Sequence, residues 1–147
     1  DGAEKKDLLV HTEKLNLKNV TFLDPVPKEK ISKYISITDV TLVPLKKCDT
    51  FKTVIPSKIF ESAAMKKPVL LGVEGETKEI IEKYNAGRCF DPENEESFLL
   101  ELKKISENKK EYAEFQKGCE KLANDFDRKK LALEMLNIIT NITKENK

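Results

Sequence analysis

The sequence predicts an α/β fold: a doubly wound parallel sheet with helices on both faces, followed by C-terminal helices. Three observations carry this expectation. The apolar runs Val40–Val43 and Val69–Leu71 are continuous rather than alternating, as strands covered on both faces require. Segments with apolar residues at helical spacing alternate with these runs. Proline or glycine marks most of the junctions between them.

Taken in order, Leu8, Leu9 and Val10 lie in an amphipathic helix over about 4–14, and Val20–Leu23 reads as a short strand ended by Asp24-Pro25. Pro27 opens a second helix whose apolar face is Ile31, Tyr34 and Ile35, ahead of the buried strand at 40–43. A polar loop, 46–55, then leads to Pro56, which opens a helix carrying Ile59, Phe60, Ala63 and Ala64 on one stripe. The two alanines let that helix approach the sheet closely. Val69–Leu71 follows as a central strand, Gly72 and Gly75 loosen the next turn, and a helix over about 77–84 ends near Gly87. Arg88-Cys89-Phe90 forms the last strand, closed by Asp91-Pro92.

From Glu95 three helical stripes remain, each expected to pack: Phe98, Leu99, Leu102 and Ile105; Tyr112, Phe115, Cys119 and Leu122; Leu131, Met135, Ile138, Ile139 and Ile142. No internal repeat, low-complexity linker or second domain boundary is visible, so the chain reads as one domain or a large part of one.

Composition narrows the function. With 147 residues and 39% hydrophobic content the chain can build an ordinary core. Its 27 basic and 26 acidic side chains leave a formal charge of +1, so no long-range field selects nucleic acid or an anionic membrane. Cys48, Cys89 and Cys119 are odd in number and lack paired spacing, which fits ordinary thiols in a reducing, cytoplasmic setting. No apolar run approaches the roughly 20 residues a membrane span needs. The carboxylates show no metal-ligand spacing, and His11, the only histidine, sits on a helix as a surface or boundary residue. In a cytosolic protein the sequons at Asn19 and Asn141 are accidental.

The stretch from Thr38 to Leu71 carries the chemistry. Strand, polar loop, proline-opened helix and second strand place a helix N-terminus at the carboxyl end of a parallel sheet, where backbone N–H groups favour an anion such as a phosphate. Glu61 stands one turn inside, placed to accept hydrogen bonds from hydroxyls of the same ligand. The plainer reading pairs Glu61 with Lys58 at i,i+3 on a solvated face, worth only about 0.2–0.5 kcal/mol. Candidate phosphate donors are the N–H groups of Ile55, Ser57 and Lys58, the Lys58 ammonium and the Ser57 hydroxyl; Pro56 has no N–H to offer.

Pro56-Ser57-Lys58-Ile59-Phe60-Glu61, Ala63-Ala64, Lys67-Pro68-Val69 and Gly75-Glu76 together resemble the donor-binding core of GT-B glycosyltransferases of family 4. Asn19–Leu23, Ile37–Val40, Asn85–Arg88 and Asp91–Asn94 extend the resemblance over nearly the whole chain. It implies a Rossmann-like C-terminal domain that binds a nucleotide-sugar donor in a retaining, metal-independent transferase without a cofactor. Glu61 would be the second glutamate of the family's E-x7-E motif and hold the donor ribose. The first glutamate falls at Thr53, a departure that implies a different sugar geometry or a contact taken over by Lys58. Lys66 departs as well, standing where the family usually has glycine before Lys67-Pro68-Val69.

The loop 22–26, with backbone near Val26, would lie beside the nucleobase. Uracil and guanine both stay open there, with a UDP-sugar slightly favoured. The resemblance also implies a chain lacking the domain's first two strands and the acceptor domain, and inactive alone. The full enzyme would take a glycan or lipid-linked acceptor in surface polysaccharide synthesis, peripherally at the inner face of a membrane. The alternative is a non-catalytic nucleotide- or phosphate-binding α/β module, which Thr53 favours. An epimerase would need acid-base residues that the loops do not supply.

Overall fold

The sheet consists of β1 (Thr41–Pro44), β2 (Val69–Gly72) and β3 (Gly87–Cys89), and β2 is buried along its whole length. A strand without a solvent face belongs in the middle. In this computed structural model, which describes residues 2–145, β2 does pair in parallel with both neighbours, in the order β1-β2-β3. Thr41 stands opposite Val69, Val43 opposite Leu71, and Val69 opposite Gly87.

The chain divides into two units, one up to Ile31 and one from Ser32 onward. The first contains α1 (Lys5–Lys14), whose Lys5 ammonium lies 3.6 Å from the Asp24 carboxylate. Helix α2 (Lys28–Ser36) straddles the division. The second unit holds the sheet with α3 (Lys58–Ala64), α4 (Glu76–Tyr84), α5 (Glu95–Glu107), α6 (Lys109–Asp125) and α7 (Arg128–Glu145). A short 3-10 turn, Asp49–Thr53, lies between β1 and α3.

Because side chains alternate across a strand, β2 feeds two cores. Val69 and Leu71 join Val43 in a cluster with Ile59 and Ala63 of α3, Ile81 of α4, and Cys119 and Leu122 of α6. On the other face the Phe90 ring lies over Gly72 and meets Phe98 of α5 edge-on, centroids 5.3 Å apart. Helices therefore cover both faces of the sheet, as the sequence predicts. The α3 stripe holds in part: Ile59 and Ala63 are fully buried and Phe60 half-buried, but Ala64 is exposed; the Ser62 hydroxyl donates to the Thr41 hydroxyl at 2.8 Å, locking α3 to β1.

The helix ends follow from local chemistry. Asn94 and Asn108 cap α5 and α6, their side-chain oxygens accepting from Ser97 N–H and Glu111 N–H at 3.0 Å. Beyond α3, Lys66 adopts the left-handed region with φ 55°, while Lys66 and Lys67 N–H bond Ala63 and Ser62 oxygens at 2.9 Å. That is the exit a glycine makes without strain, and a lysine there costs about 1 kcal/mol. Its ammonium, 2.9 Å from Glu120, ties this exit to α6.

Four expectations need correction. β1 is not covered on both faces: only Val43 is buried and Leu42 is 46% exposed, because among the described residues this strand lies at the edge of the sheet. Val20–Leu23 forms no strand; β propensity makes a strand only where a partner supplies the ladder, and no described residue pairs with this segment. The α7 stripe is not buried: Leu131, Met135, Ile138, Ile139 and Ile142 are all exposed, from 42% to 63%. In α5 only Ile105 is buried and Phe98 half-buried, whereas Leu99 and Leu102 face outward. Periodicity establishes that a helix has an apolar face; it does not say what covers that face.

An ionic cluster clamps α5 and α6 to β3. Arg88 Nη1 lies 2.7 Å from Glu101, Nη2 reaches Glu111, and Lys104 adds a second cation 2.6 Å from Glu101. Burial pushes the Glu101 carboxyl up, but hydrogen bonds from Lys104 and Arg88 outweigh it, leaving its pKa below the ordinary value. A depressed folded-state pKa contributes stability that is present above the unfolded value, about 4.3, and is lost as pH falls through the folded one. Urea melts at stepped pH are expected to show stability falling below about pH 4.5, and falling less in Glu101→Gln. An identical acid profile for that variant would contradict this assignment.

Candidate functional site

The site is built where β1 and β2 end. Leu45 N–H bonds Gly72 O at 3.1 Å, carrying the pairing one residue past β1 before the chain turns into the loop 46–57. Pro56 O accepts from Ile59 N–H at 3.2 Å, and Ser57 O accepts from Phe60 and Glu61 at 3.1 and 3.2 Å. The first turn of α3 therefore starts at Pro56, as its fixed φ and missing N–H favour.

Ser57 has helical dihedrals and its hydroxyl makes no capping bond, so the simplest structural role for this serine is not realised. Among the described residues the N–H groups of Ile55, Ser57 and Lys58 have no acceptor in the chain. Lys58 and Glu61 are exposed, and the i,i+3 ion pair between them is not formed. Both side chains face solvent. Thr53 is exposed, and its hydroxyl closes the 3-10 turn on Thr50 O at 3.4 Å. Val26 belongs to the unit that ends at Ile31, where it is half-buried in an irregular segment before Pro27.

Sequence reading missed the cations around this loop. Lys52 lies 2.7 Å from Asp49 and 4.0 Å from Glu74, and Lys47 lies 3.7 Å from Glu74. The hydrogen bond between Lys52 and Asp49 raises the lysine pKa and lowers that of the aspartate. The signal was present in Lys46-Lys47, two basic residues shortly after β1.

Other groups lie away from the start of α3. A hollow of about 420 Å³ is lined by Leu42, Pro44, Lys46, Phe90, Asn94 and Phe98, and none of the predicted donor residues borders it. His11 is exposed on α1. Burial pushes the Cys89 and Cys119 thiols up to about 12, so both stay protonated near neutrality. Among the described residues no three His, Cys, Asp or Glu side chains converge as a metal site, and no helix is long and apolar enough to cross a membrane.

The family model for glycosyl transferases group 1 matches residues 1–122. The chain belongs to this family. The matched stretch contains the whole sheet, the loop 46–57 and Glu61, and ends in α6, leaving α7 beyond it. Among solved structures, this group 1 domain is similar to sucrose-phosphate synthase from Thermosynechococcus elongatus. The TM-score is 0.80 at 18% identity, over 98% of this chain and 35% of that one. At that identity the likeness establishes the fold, and the chain spans about a third of the neighbour's length. Comparison with curated proteins gives no match. A glycosyltransferase needs a sugar donor and an acceptor.

Proposed function

We propose that this chain is the donor-binding part of a retaining glycosyltransferase of family 4, taking a sugar from a nucleoside diphosphate and passing it to an acceptor held by another domain. The observation that carries this reading is the unpaired Glu61 carboxylate one turn inside α3, next to the free N–H groups of Ser57 and Lys58, in a group 1 glycosyltransferase. Two carboxylate oxygens suit a ribose diol, and N–H groups with an ammonium suit a diphosphate. As the glycosidic bond to the donor phosphate breaks, negative charge builds on the departing diphosphate. Ile55, Ser57 and Lys58 stabilise it there, which is electrostatic catalysis of leaving-group departure. No metal or cofactor is assigned a role.

The wider reading follows from the same family. The acceptor is a glycan or lipid-linked sugar, the product feeds a surface polysaccharide, and the enzyme works in the cytoplasm at the inner face of a membrane.

The test is sugar transfer or hydrolysis by the whole enzyme with UDP- and GDP-sugars, with the product anomer read by NMR in the presence and absence of a chelator. Retention of configuration at an undiminished rate with chelator is expected. Inversion would contradict the mechanism. Thr53, turned into its own 3-10 turn, favours a second reading, a non-catalytic nucleotide-binding module. Donor binding without any transfer would establish that one instead.

A further inference from the structure

We infer that Thr77, on the first turn of α4, is a positioning residue for the donor site, holding the loop 49–56 at the height from which it meets the diphosphate. This inference rests on the donor-site reading above and adds to it the group that sets the loop's position. Thr77 is completely buried, and its hydroxyl donates to Val54 O at 2.7 Å, directly between the 3-10 turn and Pro56.

The loop has little else to hold it. Its backbone hydrogen bonds are local, Phe51 N–H to Cys48 O and Val54 N–H to Phe51 O, and the side chains of Val54 and Ile55 are exposed. Anchorage comes instead from the entry to α4. Gly75 has φ +79°, and a Cβ there would lie 2.2 Å from Lys52 O, so the turn before α4 lies flush on the loop backbone. Glu74 reaches Lys47 and Lys52 in exposed ion pairs, which contribute little because water screens them. The Thr77 bond is part-buried and its donor side chain is fully enclosed, so water screens it less than the ion pairs. Breaking it removes this tie to α4 and frees the loop to move.

Removing the hydroxyl should therefore loosen the loop before it disturbs the core. In Thr77→Val, amide exchange across 49–56 is expected to quicken by about tenfold, the equivalent of one ordinary hydrogen bond, with β2 and α6 unchanged. The Kd for UDP or GDP is expected to rise by a similar factor of about ten, and Thr77→Ser to stay near wild type in both measurements. If Thr77→Val does not fold, Thr77→Ala serves the same comparison.

Unchanged exchange in 49–56, loosening spread equally through β2 and α6, or equal loss in Thr77→Ser would each overturn the inference. Failure of the unaltered protein to bind either nucleotide would overturn the donor-site reading, while the exchange data would still decide what Thr77 does to the loop.

Discussion

Glu61→Ala is expected to lower kcat/KM for the sugar nucleotide by about 100-fold or more while shifting the melting temperature by only a few degrees. Two charge-assisted hydrogen bonds to a ribose diol, at about 1.5–3 kcal/mol each, correspond to roughly two to four powers of ten. The carboxylate stabilises little in the free protein, since it is exposed and lacks the Lys58 pair that would make it structural. Alanine is also the better helix former. Steady-state kinetics of the whole enzyme beside a thermal melt check both halves. Equal activity, or a collapse of the melting temperature, would contradict the assignment.

Gly118→Leu carries the largest expected structural effect. Gly118 lies on α6 where that helix crosses the end of α4, and a Cβ there would sit 2.1 Å from Asn85 O and 2.3 Å from Tyr84 O. Both obstacles are backbone, and that backbone is fixed: Asn85 is left-handed with φ 51°, and Ala86 N–H is bonded to Ile81 O at 3.0 Å. The helix must lift, drawing Cys119 and Leu122 out of the core they share with Val69, Leu71 and Ile81. Overpacking of this kind costs about 3 kcal/mol or more, a large part of the 5–15 kcal/mol typical of a domain. Calorimetry is expected to show a melting point about 10 °C lower, or no cooperative transition at all. Gly118→Ala should fall in between, because helix propensity returns about 1 kcal/mol.

What the sequence disclosed divides along physical lines. Val69–Leu71 was legible as a central strand because burial on both faces leaves a continuous apolar run, and α6 because Phe115, Cys119 and Leu122 repeat at helical spacing and are buried together. Val20–Leu23 misled because strand residues are defined by a partner that propensity does not report. Helix α7 was legible as a helix, but its exposed Leu131 and Ile138 show that an apolar stripe is a demand for cover and not its location.

At the site, Pro56, Ser57, Lys58 and Glu61 could be singled out because their order along the chain dictates their place at the start of one helix. Thr77 could not. Its partner Val54 lies 23 residues away, and nothing in the local pattern separates a buried hydroxyl that anchors a loop from one on a solvated helix. Lys66 was visible as a departure from glycine, and its φ of 55° supplies the physical meaning of that departure.

The most direct measurement of the central claim is a double-mutant cycle between Glu61 and the ligand's ribose. A nucleoside diphosphate and its 2′,3′-dideoxy analogue would be titrated into the unaltered protein and into Glu61→Ala by calorimetry. The account predicts that the unaltered protein prefers the diol by about 100-fold and that Glu61→Ala shows no preference. A preference of equal size in both proteins would mean that the ribose is held elsewhere.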